Sequence, residues 1–164
     1  MWFAPSLLVP EVAADELHAW VENMDWPKGT KLKDPRKYHV TLLYSAEGRK
    51  HFRHEAFLEA IQPDASFKVW TARVEQLSPG NNLHWRPISV MLSNTLLRRW
   101  VEHDVLTLAS AIGLDYASYG SYKSHVTVAE IPPGDFDVWN IEPPDVTWMT
   151  PMETVDLHTY YDSL

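Results

Sequence analysis

Tyr38-His39-Val40-Thr41-Leu42-Leu43-Tyr44-Ser45 and Tyr122-Lys123-Ser124-His125-Val126-Thr127-Val128-Ala129-Glu130-Ile131 carry the same tripeptide, His-Val-Thr, 86 residues apart. Both stretches are rich in β-branched and aliphatic residues and read as strands. In a strand successive side chains leave opposite faces. Each imidazole therefore shares a face with the threonine hydroxyl two residues on, while Val40 or Val126 turns the other way into a core. One His-x-Thr is a pattern that chance supplies. Two identical copies, each inside an apolar run with a tyrosine upstream (Tyr38, Tyr122), point to one site assembled from two half-chains. A pair of imidazoles can serve as general base and general acid, and a pair of hydroxyls can donate to the oxygens of a transferring phosphoryl group, so the natural guest is a phosphodiester.

Around these motifs the rest of the chain arranges itself in two similar runs. A short strand near Ser6–Val9 leads into a helix over Glu11–Met24, with Pro10 at its first turn and Leu17, Trp20, Val21 and Met24 on one face. A Pro-, Gly- and Lys-containing loop at 25–37 precedes the motif strand Tyr38–Ser45. A helix at about Arg49–Ile61 and a long strand over Ser66–Leu77 follow, and 78–82 turns the chain. The second half runs through a strand at Pro87–Ser93, a helix at Thr95–Ile112 with Leu97, Trp100, Val101, Leu108 and Ile112 inward, a stop at Gly113, and the motif strand Tyr122–Ile131. A Pro- and Asp-rich stretch at 132–151 takes the place of a second helix. An alternating strand over Glu153–Tyr160 closes the chain, with Asp156, His158 and Tyr160 on one face. This order predicts an α+β fold: one domain over 1–164 with two pseudo-duplicated lobes, about 1–80 and 81–164, whose largely antiparallel sheets flank a central groove.

The paired motifs resemble those of the 2H (two-histidine) phosphoesterases, which carry two His-x-Thr/Ser motifs about this far apart in a compact two-lobed chain. The resemblance is specific around 38–44 and 122–130. It implies that His39 and His125 act as acid and base, that Thr41 and Thr127 hold the phosphate, and that no metal or cofactor takes part. It does not fix which histidine has which role. The substrate classes it implies are 2′,3′-cyclic phosphates at RNA ends and cyclic or 2′-5′ linked oligonucleotide messengers, the latter as in viral members that counter host defence. The compact chain favours a small substrate. An alternative of a different class is a nucleotide-binding module that uses the same groove without turnover.

Composition bounds these readings. Apolar residues make up 45% of 164, enough for a substantial core. The absence of cysteine removes disulfide, thiol-nucleophile and zinc-thiolate chemistry. No run approaches the roughly 18 apolar residues of a spanning helix, and Met1–Pro10 lacks a basic lead and a small-residue cleavage site, so a soluble, cytoplasmic chain is expected, with no membrane and no obligate protein partner. A net charge of −8 argues against broad nucleic-acid binding. Locally the balance reverses: Lys28, Lys31, Lys33, Arg36, Lys37, Arg49, Lys50 and Arg53 face only Asp34 and Glu47 between residues 28 and 53. Such a run is either a solvated face or a collar that steers a small anionic nucleotide or oligonucleotide towards His39. Tyr44, Trp85, Tyr122 and Lys123 are the candidate substrate-binding residues. Trp85 lies in the polar stretch Asn81-Asn82-Leu83-His84-Trp85-Arg86, where it could stack a base, whereas Trp20 and Trp100 fall on apolar helix faces and read as core. His51 and His54 have helical spacing for a shared metal, but no third ligand accompanies them and the expected metal set is none.

Overall fold

The computed structural model describes residues 2–46, 51–77, 84–117, 121–138 and 140–164, with the side chains of 51–53 excepted. The two motif stretches form strands β3 (His39–Thr41) and β6 (His125–Ile131), and their alternation is as predicted: Val40 and Val126 are fully buried while His39, Thr41, His125 and Thr127 are half-buried on the opposite face. Burying each valine contributes about 1.5–3 kcal/mol and fixes the register, since a one-residue slip would drive both imidazoles into the core.

The architecture is α+β, and every strand pairing is antiparallel. β1 (Pro5–Leu8) lies between β3 and β8 (Val155–Asp156) in a three-stranded sheet. A five-stranded sheet has the order β2 (Lys31–Leu32), β6, β5 (Arg86–Ser93), β4 (Lys68–Gln76), β7 (Thr147–Met149). Strand membership crosses the expected boundary at residue 80: β2 and β4 from the first half join the five-stranded sheet, and β8 from the end of the chain joins β1. β7 lies inside the Pro- and Asp-rich stretch, where a strand of three residues is too short to show a period.

The helices are α1 (Glu11–Glu22), α2 (His51–Ala60), α3 (Thr95–Trp100), α4 (Leu106–Ala111) and α5 (Leu157–Asp162). Leu17 and Val21 of α1 are buried as expected, and Trp20 and Trp100 pack against the core's edge. The helix predicted over Thr95–Ile112 starts where Asn94 caps it, its side chain accepting from Leu97 N at 2.7 Å, but Val101–Val105 forms a π turn between α3 and α4. The wider turn advances the inward stripe to a spacing of four: Leu97, Val101, Val105 and Ala109 are fully buried, while Leu108 is half-exposed and Ile112 exposed. The expected inward places of Leu108 and Ile112 follow from a 3.6-residue period that this segment does not keep.

The end of the chain departs most from expectation. In place of a strand over Glu153–Tyr160, pairing stops at Asp156 and α5 begins. The Asp156 carboxylate accepts from His158 N at 3.3 Å and from the Thr159 hydroxyl at 3.0 Å, so this residue acts as a helix cap and Asp156, His158 and Tyr160 do not share a strand face. Two motif-strand bounds also contract. β3 ends at Thr41 and β6 begins at His125, which leaves Tyr44 and Tyr122 on the connecting segments. The turn expected at 78–82 lies outside the described residues.

Candidate active site at the paired His-Val-Thr strands

β3 lies against β6, and the two motifs meet there. β3 is an edge strand, so alternate carbonyls lack a strand partner. The carbonyl of Thr41 accepts instead from the hydroxyl of Tyr122 at 2.8 Å, a bond from the approach to one motif to the backbone of the other. Burial holds the pKa of that hydroxyl well above its ordinary value, so it stays a donor. Its backbone is anchored too: Tyr122 N donates to the Glu102 carboxylate at 3.0 Å from within the π turn, where Glu102 also accepts from Arg98 Nε at 3.0 Å.

The two imidazoles are held alike. His39 Nδ1 lies 2.7 Å from the carbonyl of Lys37, and His125 Nδ1 lies 2.8 Å from the carbonyl of Lys123. A carbonyl only accepts, so each Nδ1 carries the proton and each neutral ring keeps its Nε2 lone pair for proton transfer. Desolvation lowers the pKa of both rings from the ordinary histidine value. Beyond that their surroundings differ. The positive charges of His125 and Lys33 depress His39 further, whereas Glu75 favours the charged form of His125.

The threonines occupy matching places in their sheets. Thr41 pairs across β1 with Ser6, and Thr127 pairs across β5 with Ser89; both serines are fully buried. The Ser89 and Thr127 hydroxyls share a hydrogen bond at 3.0 Å, while Ser6 donates to the Ala4 carbonyl at 3.0 Å.

Of the other expected site residues, Tyr122 is at the junction through its hydroxyl, and Lys123 contributes its carbonyl while its side chain is exposed. Tyr44 is 43% exposed and stacks on Trp2, whose ring lies edge-on to Tyr161, itself edge-on to His39. Trp85 is not brought to the pair. It precedes Arg86, which pairs with Ile131 six residues beyond His125 and thus about 20 Å along the sheet, and its ring is covered by Lys31 Nζ at 4.3 Å. Lys33 is tied to Glu130 at 3.0 Å, so part of the basic collar is directed along β6. His54 stacks flat on Phe3 with ring centres 4.2 Å apart, which gives it a packing role; the side chain of His51 lies outside the described residues.

The carbonyl roles of Lys37 and Lys123, and the parts played by Ser89 and Tyr161, escaped the sequence reading. Lys37 and Lys123 stand at the same place before each histidine, so the repeat is Lys-x-His-Val-Thr and its first member was legible. Ser89 required the strand register. Tyr161 required knowing that the chain's end returns to β3.

Neither a protein-family model nor a curated sequence matches the chain. Among solved structures it is similar to TT0787 of Thermus thermophilus, with a TM-score of 0.68 and 15% identity over 95% of this chain and 93% of that one. It is also similar to LigT of E. coli, solved in apo form, with a TM-score of 0.63 and 14% identity over 94% of this chain and 96% of that one. Over nearly its whole length, then, the chain has the α+β fold of LigT and TT0787.

Proposed function

We propose that the chain is a metal-independent phosphodiesterase of the 2H type, acting on a nucleotide phosphodiester. The observation that carries this reading is the meeting of β3 and β6 with both imidazoles in the same tautomer, each with Nε2 left for proton transfer. The LigT-like fold and the resemblance of the motifs support it.

We take the two roles from the difference in charge around the rings. His39, whose charged form Lys33 and His125 disfavour, serves as base in this reading, and His125, whose charged form Glu75 favours, serves as acid. His39 Nε2 takes the proton of the attacking oxygen, water or a neighbouring ribose hydroxyl, as the new P–O bond forms. His125 Nε2–H gives its proton to the departing oxygen as the old P–O bond breaks. Thr41 and Thr127 donate to the phosphoryl oxygens. For Thr127 to donate there, Ser89 must be the donor in their mutual bond, which directs the threonine proton outward. The substrate we propose is a cyclic or 2′-5′ linked oligonucleotide messenger, with a 2′,3′-cyclic phosphate at an RNA end as the second branch.

The test is a substrate panel of 2′,3′-cyclic mononucleotides, 2′-5′ oligoadenylate and cyclic di- and trinucleotides, with products identified by mass spectrometry before and after dialysis against EDTA. Turnover of a panel member, equally fast after dialysis, is expected. Binding without turnover for every member would turn the reading to a nucleotide-binding module, and a rate lost to EDTA and restored by Mg²⁺, Mn²⁺ or Zn²⁺ would end the metal-independent mechanism.

A further inference from the structure

The two histidines sit in identical tripeptides and make the same bond to the carbonyl two residues back, yet a group from the far end of the chain attends only one of them. β8 pairs with β1 through Pro5 and Asp156, and the Asp156 cap then turns the chain into α5, across the approach to β3. Two consecutive tyrosines of α5 reach the segment before His39. Tyr160 donates to the Arg36 carbonyl at 3.1 Å and Tyr161 to the Lys37 carbonyl at 3.2 Å. The Tyr161 oxygen also lies 3.2 Å from His39 Nδ1, the nitrogen whose proton goes to Lys37.

The Tyr161 ring is fixed on several sides. Lys37 Nζ lies 5.1 Å over it, His39 meets it edge-on at 6.1 Å, and Trp2 packs against it at 6.4 Å while also meeting His158 at 5.0 Å. Burial and the neighbouring Tyr160 push its hydroxyl up to about 12, so it keeps its proton at all working pH values. Among the described residues, His125 has only the Lys123 carbonyl at its Nδ1.

We propose that Tyr161 is a positioning residue for His39: its oxygen accepts the Nδ1–H together with the Lys37 carbonyl, and so fixes the ring's tautomer and direction. The role given to His39 rests on the function proposed above; the geometry does not. Tyr161 donates its own proton to Lys37, which leaves an oxygen lone pair for His39. That lone pair matters more when His39 becomes an imidazolium, because the cation's Nδ1–H is the stronger donor. Desolvation, His125 and Lys33 act in the opposite direction. Lys37 stands nearby over the Tyr161 ring, and on α5 His158 is paired with Asp162 at 3.5 Å, away from the bond.

The test compares Tyr161→Phe with Tyr160→Phe, because each removes one hydroxyl that anchors α5 to the same segment and only one of these hydroxyls reaches His39. Long-range ¹H–¹⁵N spectra report the tautomer and titration of each imidazole without requiring turnover. In Tyr161→Phe the His39 titration should fall by about 0.3–0.7 pH unit, as expected from loss of one bond to the charged form, with His125 unmoved. Tyr160→Phe should leave both unmoved. If the panel yields a substrate, Tyr161→Phe should lower kcat about 3- to 10-fold at little-changed KM, as expected of a less well oriented base. An unchanged His39 titration in Tyr161→Phe overturns the proposal, and so does an equal shift in both variants, which would assign the effect to anchoring of the helix. A wild-type protein inactive on every substrate would overturn the proposed function alone, with the spectra still deciding the role of Tyr161.

Discussion

Tyr122→Phe removes a single oxygen at the place where the two motif strands are joined. The ring, the backbone bond to Glu102 and the strand registers stay, so the change isolates the 2.8 Å bond to the Thr41 carbonyl. Among the described residues no strand is hydrogen-bonded to that side of β3, so loss of the bond is not made good by another strand. The cost combines the bond itself, about 0.5–1.5 kcal/mol net, with a partly buried acceptor left unmet, and totals about 1–3 kcal/mol. In a chain of this length each kcal/mol corresponds to about 2–4 °C, so the melting temperature should fall by about 2–12 °C. Activity should fall more than stability implies, because the bond fixes how far Thr41 stands from Thr127, and the loss should appear in kcat. Urea unfolding monitored by tryptophan fluorescence, with steady-state kinetics at a temperature where both proteins are folded, measures the two effects separately. A variant with wild-type stability and wild-type kcat would show that the bond does not hold the motifs together.

His39→Ala and His125→Ala should each lower kcat/KM at least about 100-fold with near-native melting, and the double variant should be little worse than either single one because the pair acts as a unit; a single variant with near-wild-type rate would dispose of the mechanism. Ser89→Ala should cost about 0.5–1.5 kcal/mol and lower kcat with KM nearly constant, since it frees the Thr127 hydroxyl to rotate; a change in KM alone would assign Ser89 to binding. Stability should depend on pH through both histidines. Their folded pKa values lie below the unfolded value of about 6.5, so the unfolded chain takes up more protons as pH falls, and stability complete above about 6.5 is lost on acidification until the folded values are passed. Melting curves between pH 7.5 and 5.5 should show this slope in the wild type and a flatter one in His39→Gln/His125→Gln, and parallel slopes would refute it.

What could be read from the sequence was what repeats locally. The alternation of Val40 and Val126 against their neighbours fixed both motif strands and the face the imidazoles share, and the apolar stripe of α1 fixed its inward side. Where local pattern and tertiary context compete, the reading failed in ways that have causes. The residues of Thr95–Ile112 fit a regular helix until a π turn resets the phase, and nothing in Val101-Glu102-His103-Asp104-Val105 announces the wider turn, whose Glu102 reaches Tyr122 twenty residues on. Residues 153–160 alternate like a strand, but Asp156 satisfies two donors ahead of it and starts a helix. The crossing of β2, β4 and β8 between sheets depends on which edges are free, and a linear pattern of hydrophobicity does not contain that.

The same division bears on how a repeated motif could serve the unlike roles proposed for its two histidines. Two histidines in identical tripeptides, held by identical carbonyl bonds, would titrate together, and an acid and a base must be in opposite protonation states at one time. The tripeptide therefore supplies the groups but not their difference. That difference comes from residues with no counterpart in the repeat. Lys33, brought beside β6 by the short strand β2, lowers His39, and Glu75 on β4 favours the charged His125. Ser89 engages Thr127 while Ser6, at the matching register on β1, turns to the Ala4 carbonyl. Tyr161, carried in by the last helix, attends only His39. Apart from those of Ser6 and Lys33, these contacts are made between residues far apart in the chain, so in this fold the strands bring two equivalent groups together and the packing around them makes the groups inequivalent.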